Sequence, residues 1–250
     1  MVYIPGRIRK KEGAKETTGG SDIDFGKLDE LKKTCKELEQ ANLKIREAHI
    51  EMIMRLAVAA EYRDPDTGAH IIRMSDYATE LAKALKLSDD EVEIIRYASP
   101  MHDIGKIAIP DKILLKEDKL TPEEFEVMKT HTVIGARFFQ NAKSPLLQAA
   151  HDIALSHHEN FDGTGYPQGL KGEAIPLYAR IVSTADIFDA MVSKRCYKKA
   201  YSFEESLEYV KSLAWKQLDP QLVYLFVQSE KNIRKIYQAN KTIESFVGGS

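Results

Sequence analysis

The chain is poor in cysteine, with only Cys35 and Cys196 in 250 residues. Two thiols cannot build a disulfide scaffold, so the sequence reads as that of a reduced, cytoplasmic protein. Long apolar runs are also missing, and none approaches the ~20 residues that a membrane span needs. An excess of charge is missing too. The 36 basic and 38 acidic side chains leave −2 with histidine neutral. That removes the bulk electrostatic case for a nucleic-acid polymer or an acidic membrane surface as partner. The basic N-terminus, with Arg7, Arg9, Lys10, Lys11 and Lys15, carries no apolar segment and does not read as a signal peptide. Nor is there a Ser-His-Asp or reactive-cysteine arrangement to supply a side-chain nucleophile. What the chain does have is 43% hydrophobic residues, enough for a sizeable core.

No stretch sustains the period-two alternation of a strand, and helix signals are frequent, so the expected fold class is all-α. Residues 1–27 are glycine-punctuated and highly charged, which reads as a disordered tail or linker. From Leu28 a heptad runs, with Leu28, Cys35, Asn42, His49 and Leu56 at a and Leu31, Leu38, Ile45, Met52 and Ala59 at d. The pattern predicts a coiled-coil-like helix over 28–60, able to form a homodimer through residues 28–59. From Ile50 a second apolar face develops, where the helix is expected to join a globular core. Helices are further predicted over Ser75–Leu87 and over Asp89–His102, behind a Ser88/Glu91 capping box. Others open at Thr121-Pro122-Glu123-Glu124 and at Ser144-Pro145, the latter running to about His158. Pro176–Val192, Ser202–Trp215 and Pro220–Ala239 complete the set, with 241–250 as a tail. Asn160–Gly172 is a loop dense in turn residues, of a kind usually functional or mobile.

Five of the seven histidines fall into a pattern with acids: His70, His102-Asp103, His131 and His157-His158, followed by Asp186. Imidazole combined with carboxylate suits Zn, Fe, Mn or Ni. Adjacent ligands on a helix project about 100° apart. The His102-Asp103 pair can thus serve one ion and reach toward a second, with Asp103 as the bridge. Lys106 lies one turn further on and could hold a phosphate oxygen. His151-Asp152, by contrast, reads as a solvated helix face.

The elements His102-Asp103-Ile104-Gly105-Lys106 and His157-His158-Glu159-Asn160-Phe161-Asp162-Gly163-Thr164-Gly165-Tyr166-Pro167 resemble those of the HD-GYP family, HD-superfamily phosphodiesterases that act on cyclic di-GMP. The likeness spans roughly residues 50–240. It includes Arg63–His70, Ala179-Arg180-Ile181, Ala185–Ala190 and Arg195-Cys196-Tyr197-Lys198. The resemblance implies an all-helical HD bundle around a metal cluster. It implies metal ligands His70, His102, Asp103, His131, His157, His158 and Asp186. Asp103 and Lys106 would act in catalysis, and Lys106, Asp189, Arg195 and Lys198 would contact substrate. Some members hold a third metal through an acid four residues before the first histidine. Here that residue is Asp66, whose side chain is shorter than the glutamate of the pattern. Glu159 and Asp64 read as supporting or capping groups.

The implied activity is bacterial second-messenger hydrolysis. Two divalent transition metals, Fe or Mn, would activate a bridging water, and cyclic di-GMP would be hydrolysed to linear pGpG and/or GMP. A signalling-protein partner at Gly165-Tyr166-Pro167 is a further expectation. Two alternatives stand beside this reading. One is hydrolysis of another cyclic dinucleotide or nucleotide; the other is a non-catalytic nucleotide-binding module.

Overall fold

Three helices begin where a serine or threonine is followed three residues later by glutamate. Ser88 with Glu91, Thr121 with Glu124 and Ser202 with Glu205 each form a reciprocal capping box. Each satisfies backbone N–H groups that the first turn leaves unpaired. The computed structural model describes residues 25–61, 69–193 and 201–247. Helix α1 spans Phe25–Glu61, α2 Ala69–Ala84, α3 Asp89–Ala98, α4 Asp111–Leu114 and α5 Pro122–Phe138. They are followed by α6 (Pro145–Ser156), α7 (Leu177–Val192), α8 (Phe203–Ser212), α9 (Pro220–Gln228) and α10 (Glu230–Val247). Short 3₁₀ turns occupy Ser99–Met101, Ile104–Ala108 and Gly172–Ala174. Among the described residues there is no strand, only an isolated bridge between Ala214 and Leu218. The all-α expectation therefore holds.

The chain divides into two units, 1–47 and 48–250. In the first, the d-position side chains Leu31, Leu38 and Ile45 are 60%, 60% and 53% exposed. In the second, Ile53, Met54, Ala57 and Val58 of α1 pack on a core centred on α2 and α7. Tyr77 of α2 meets Phe188 of α7 edge-on at 5.1 Å, and Phe188 meets Phe226 of α9 at the same distance. Edge-to-face pairs of this kind add stabilisation beyond the area they bury. Burial with nearby acidic charge pushes the Tyr77 phenol far up, so it stays neutral.

Several boundaries differ from the sequence reading. The helix expected over Ser75–Leu87 spans Ala69–Ala84, and the one expected to reach Trp215 ends at Ser212. The helix expected through His102 stops as α-helix at Ala98, and Pro100 is the second residue of the 3₁₀ turn that follows. Proline lacks the N–H that would continue the α ladder. The helix expected over Pro220–Ala239 is two helices. Ser229, at ψ 10°, shares its N–H between Leu225 O at 3.0 Å and Phe226 O at 3.2 Å, a tightening that interrupts the ladder. The last helix also runs on to Val247, past the expected start of a tail at 241.

Candidate metal centre

The His-Asp pair sits between two 3₁₀ turns, not on a regular helix as its spacing suggested. Asp103 is the residue before the turn Ile104–Ala108, at φ −102°, ψ 10°. That turn is pressed against α5 at Gly105, where a Cβ would lie 1.9 Å from His131 O and 2.6 Å from Gly135 N. Only glycine permits this approach, which brings Asp103 to His131. His157 ends α6. Its ring Nδ1 donates to Ile153 O at 3.0 Å and Ala154 O at 3.2 Å, carbonyls of the last turn, the first of which also accepts the His157 backbone N–H.

Seven side chains converge in two groups. Asp103, His131, His157 and His158 form one, and His70, His102 and Asp186 the other. Within each group the candidate ligand atoms lie within 4.8 Å of one another. Asp103 joins the groups through its two oxygens. Oδ2 is 3.2 Å from His102 Nε2, while Oδ1 is 3.2 Å from His131 Nε2 and 3.4 Å from His157 Nε2. His70 Nε2 faces Asp186 Oδ1 at 3.4 Å.

The ring tautomers test whether a cation fits. His102 Nδ1 bonds Ser99 O at 3.0 Å and His131 Nδ1 bonds Met128 O at 2.7 Å. A carbonyl only accepts, so Nδ1 carries the proton in these rings and in His157. In the neutral rings Nε2 is then a lone pair aimed inward. Burial holds the His157 imidazole below its usual range. Burial, and next the charge of His157, holds His158 well below it. Asp103 Oδ1, buried, accepts no hydrogen bond among the described residues. Burial alone would raise the Asp103 carboxyl, but the Lys106 ammonium, the largest opposing influence, holds it well below the usual range. Ionised carboxylate and imidazole lone pairs thus face one another at 3.2–3.4 Å, an arrangement that a divalent cation stabilises. The donor set of nitrogen and carboxylate oxygen suits transition metals.

Lys106 Nζ lies 2.8 Å from Asp103 Oδ2 with its side chain 19% exposed, so the cation sits at the rim of the cluster. Asp189, expected to contact substrate, lies beside His70. It is fully buried behind His70, accepting from His70 Nδ1 at 2.6 Å and from Arg73 Nε at 2.8 Å. Burial opposes its ionisation, but the hydrogen bonds and charges of His70 and Arg73 hold its carboxyl below the usual range. Asp66, Arg195 and Lys198 lie outside the described residues, as does Cys196. His151 pairs with its neighbour Asp152 at 3.0 Å, away from both groups.

The loop after His158 is pinned. Glu159, only 2% exposed, accepts from Gln168 N at 2.7 Å and Leu170 N at 2.9 Å. A Cβ on Gly165 would lie 2.1 Å from Asn160 N, so the loop folds back tightly on its own start. Tyr166 stacks on His158 with ring centroids 4.8 Å apart and meets Phe125 edge-on at 6.1 Å. Sequence reading missed Arg73 and Phe125. Arg73 had a signal, three residues after His70 on α2 and hence on its face. Phe125 had none, because one exposed aromatic on a helix is ordinary.

Comparison with known proteins agrees with this geometry. The profile of the HD domain family matches residues 37–222. A cyclic di-GMP phosphodiesterase of Thermotoga maritima is 46% identical over 191 residues, 76% of this chain and 52% of its own length. The cyclic di-GMP phosphodiesterase response regulator RpfG of Xanthomonas campestris is 44% identical over 210 residues, covering 82% and 56%. A 3′3′-cGAMP-specific phosphodiesterase 2 of Vibrio cholerae is 40% identical over 192 residues, covering 76% and 37%. The chain thus spans about half the length, or less, of these curated relatives. Among solved structures, the cyclic GMP-AMP phosphodiesterase V-cGAP3 of V. cholerae superposes with a TM-score of 0.55 at 23% identity, covering 80% of this chain and 53% of its own, a likeness of fold. The family profile, the relatives and the two joined histidine-acid groups lead to one assignment: the chain belongs to the HD domain family, in the HD-GYP group that its own motifs resemble.

Proposed function

We propose that this chain is a metal-dependent phosphodiesterase that hydrolyses cyclic di-GMP to linear pGpG and/or GMP, using two divalent ions, Fe or Mn. The observation that carries this reading is the shared carboxylate of Asp103 between two histidine groups. Bound there, a pair of ions supplies a water of lowered pKa and Lewis acidity toward a phosphoryl oxygen. The remaining work belongs to the chain. Asp103 fixes the spacing of the two groups, and His70, His102, His131, His157, His158 and Asp186 complete them. Lys106, at the rim, places positive charge where negative charge builds on the phosphate in the transition state. Tyr166 closes one side by stacking on His158. Arg195 and Lys198 offer further positive charge for the substrate's phosphates.

A second reading, hydrolysis of the mixed guanine-adenine cyclic dinucleotide, is favoured by the 40% identical V. cholerae relative of that name. We also propose a cytoplasmic setting, and a homodimer through residues 28–59, which the exposed heptad side chains support. No described helix is long and apolar enough to cross a membrane.

The test is anaerobic purification with elemental analysis, then assay of cyclic di-GMP, 3′3′-cGAMP and cyclic di-AMP with chromatography of products. The proposal expects two ions per chain and preferred turnover of cyclic di-GMP. His102→Ala and Asp103→Ala should each lose ions and turnover together. Full turnover by either variant, or none by the metal-loaded protein on any of the three, overturns it.

A further inference from the structure

The two histidine groups differ in what stands behind them. In the Asp103 group, His131 and His157 donate their Nδ1 protons to backbone carbonyls of their own helices. These supports come with the fold and need no side chain. His102, in the other group, does the same with Ser99 O. His70 Nδ1 instead meets a side chain, the carboxylate of Asp189, 119 residues away on α7.

That carboxylate is itself held. Arg73 donates from Nε to Asp189 Oδ1 at 2.8 Å and from Nη2 to Oδ2 at 3.0 Å, a fork-on-carboxylate pair. Arg73 Nη2 also reaches Ser193 Oγ at 2.7 Å, and Ser193 Oγ lies 3.1 Å from Asp189 Oδ2. Arg73 is 6% exposed and Asp189 not at all. A planar fork fixes both carboxylate oxygens, which a lysine cannot do. Asp189 Oδ2 is thereby aimed at His70 Nδ1, and His70 Nε2 at Asp186.

We infer that Arg73 is a positioning residue. Through Asp189 it fixes the ring proton and orientation of His70, and it decides how tightly the His70–His102–Asp186 group holds its ion while leaving the Asp103–His131–His157–His158 group unaffected. The inference rests on the metal dependence proposed above but not on the substrate. Groups behind metal ligands commonly set affinity by about 10- to 100-fold. The two ions are therefore unequal, and the one at His70 depends on a clamp between α2 and α7.

The experiment is titration of the chelator-stripped full chain with Mn²⁺, reading stoichiometry and both affinities by calorimetry and by elemental analysis after gel filtration. The wild type should take two ions. Arg73→Gln should weaken one site by about 10- to 100-fold and leave the other within a factor of two. Arg73→Lys should restore only part of the loss. Nitrogen-15 spectra of the metal-free protein give a second readout. The ring signals of His70 should shift in Arg73→Gln, while those of His131 and His157 stay. If Arg73→Gln does not fold, Ser193→Ala removes one partner of the fork and should weaken the same single site to a smaller degree. Equal weakening of both sites, or two unchanged sites in a folded variant, overturns the inference. Loss of one ion in a protein that hydrolyses no cyclic dinucleotide would instead overturn the proposed function and leave this inference standing.

Discussion

Lys106 separates chemistry from construction at the level of one residue. Its ammonium touches Asp103 Oδ2 yet reaches the surface, and it cannot bind a metal while charged. Lys106→Ala should keep two ions per chain and lower kcat by about 10²- to 10³-fold, the usual loss when one transition-state donor is removed. Metal analysis beside kinetics checks this, and parallel loss of metal would make Lys106 a structural group. Gly105 is the opposite case, with no chemistry and no room. A methyl group there would fall 1.9 Å from His131 O, backbone that cannot swing away as a side chain can. Gly105→Ala should lower the thermal midpoint and the metal content together, with a cost of several kcal/mol typical of severe overpacking. The glycine was visible in the His102–Lys106 motif, but its reason was not, because the contact spans a turn and α5. Asp189 carries the same lesson. A motif places it near substrate residues, while only its burial reveals that His70 and Arg73 occupy its carboxylate.

At the scale of the element, local signals gave the helix starts. Ser88, Thr121 and Ser202 with their glutamates are read from four consecutive residues, because a capping box closes within one turn. These boxes make a pH prediction. The Glu91 carboxyl is held below its usual 4.5, first by the Ser88 hydroxyl; Glu124 is held below the same value, first by Lys116. A carboxyl lowered in the folded state stabilises fully above 4.5 and less as pH falls through the folded value. The paired variant Glu91→Gln and Glu124→Gln should therefore show a shallower loss of stability than the wild type between about pH 5 and 3, followed by circular dichroism. Helix ends were less legible. Ala98, Ser156 and Ser229 end or interrupt helices where packing and ring-to-carbonyl bonds compete with continuation. The turn-rich loop was legible as special, but not that a buried Glu159 ties it down through two backbone N–H groups.

For the whole molecule, the exposed heptad of α1 carries the remaining prediction. Leu31 and Leu38 stand 60% exposed, although the d positions of a heptad exist to be covered. Sedimentation of the full chain should give a dimer, and Leu31→Glu with Leu38→Glu should give a monomer. A wild-type monomer at micromolar concentration would refute the proposed pairing. Asn42 at an a position favours two strands at some cost in stability.

The sequence by itself determined the helical class, the capped helix starts, the heptad and the family, because each is written in local periodicity or in contiguous motifs. It also supplied the seven side chains that the structure brings together, because they stand in contiguous motifs. Tertiary structure alone decided that these side chains fall into two groups sharing Asp103. It alone decided that His70 leans on Asp189 and Arg73 while His102, His131 and His157 lean on backbone carbonyls. Those facts depend on contacts between residues far apart in the chain, and a helical pattern fixes which face is buried without fixing what it meets.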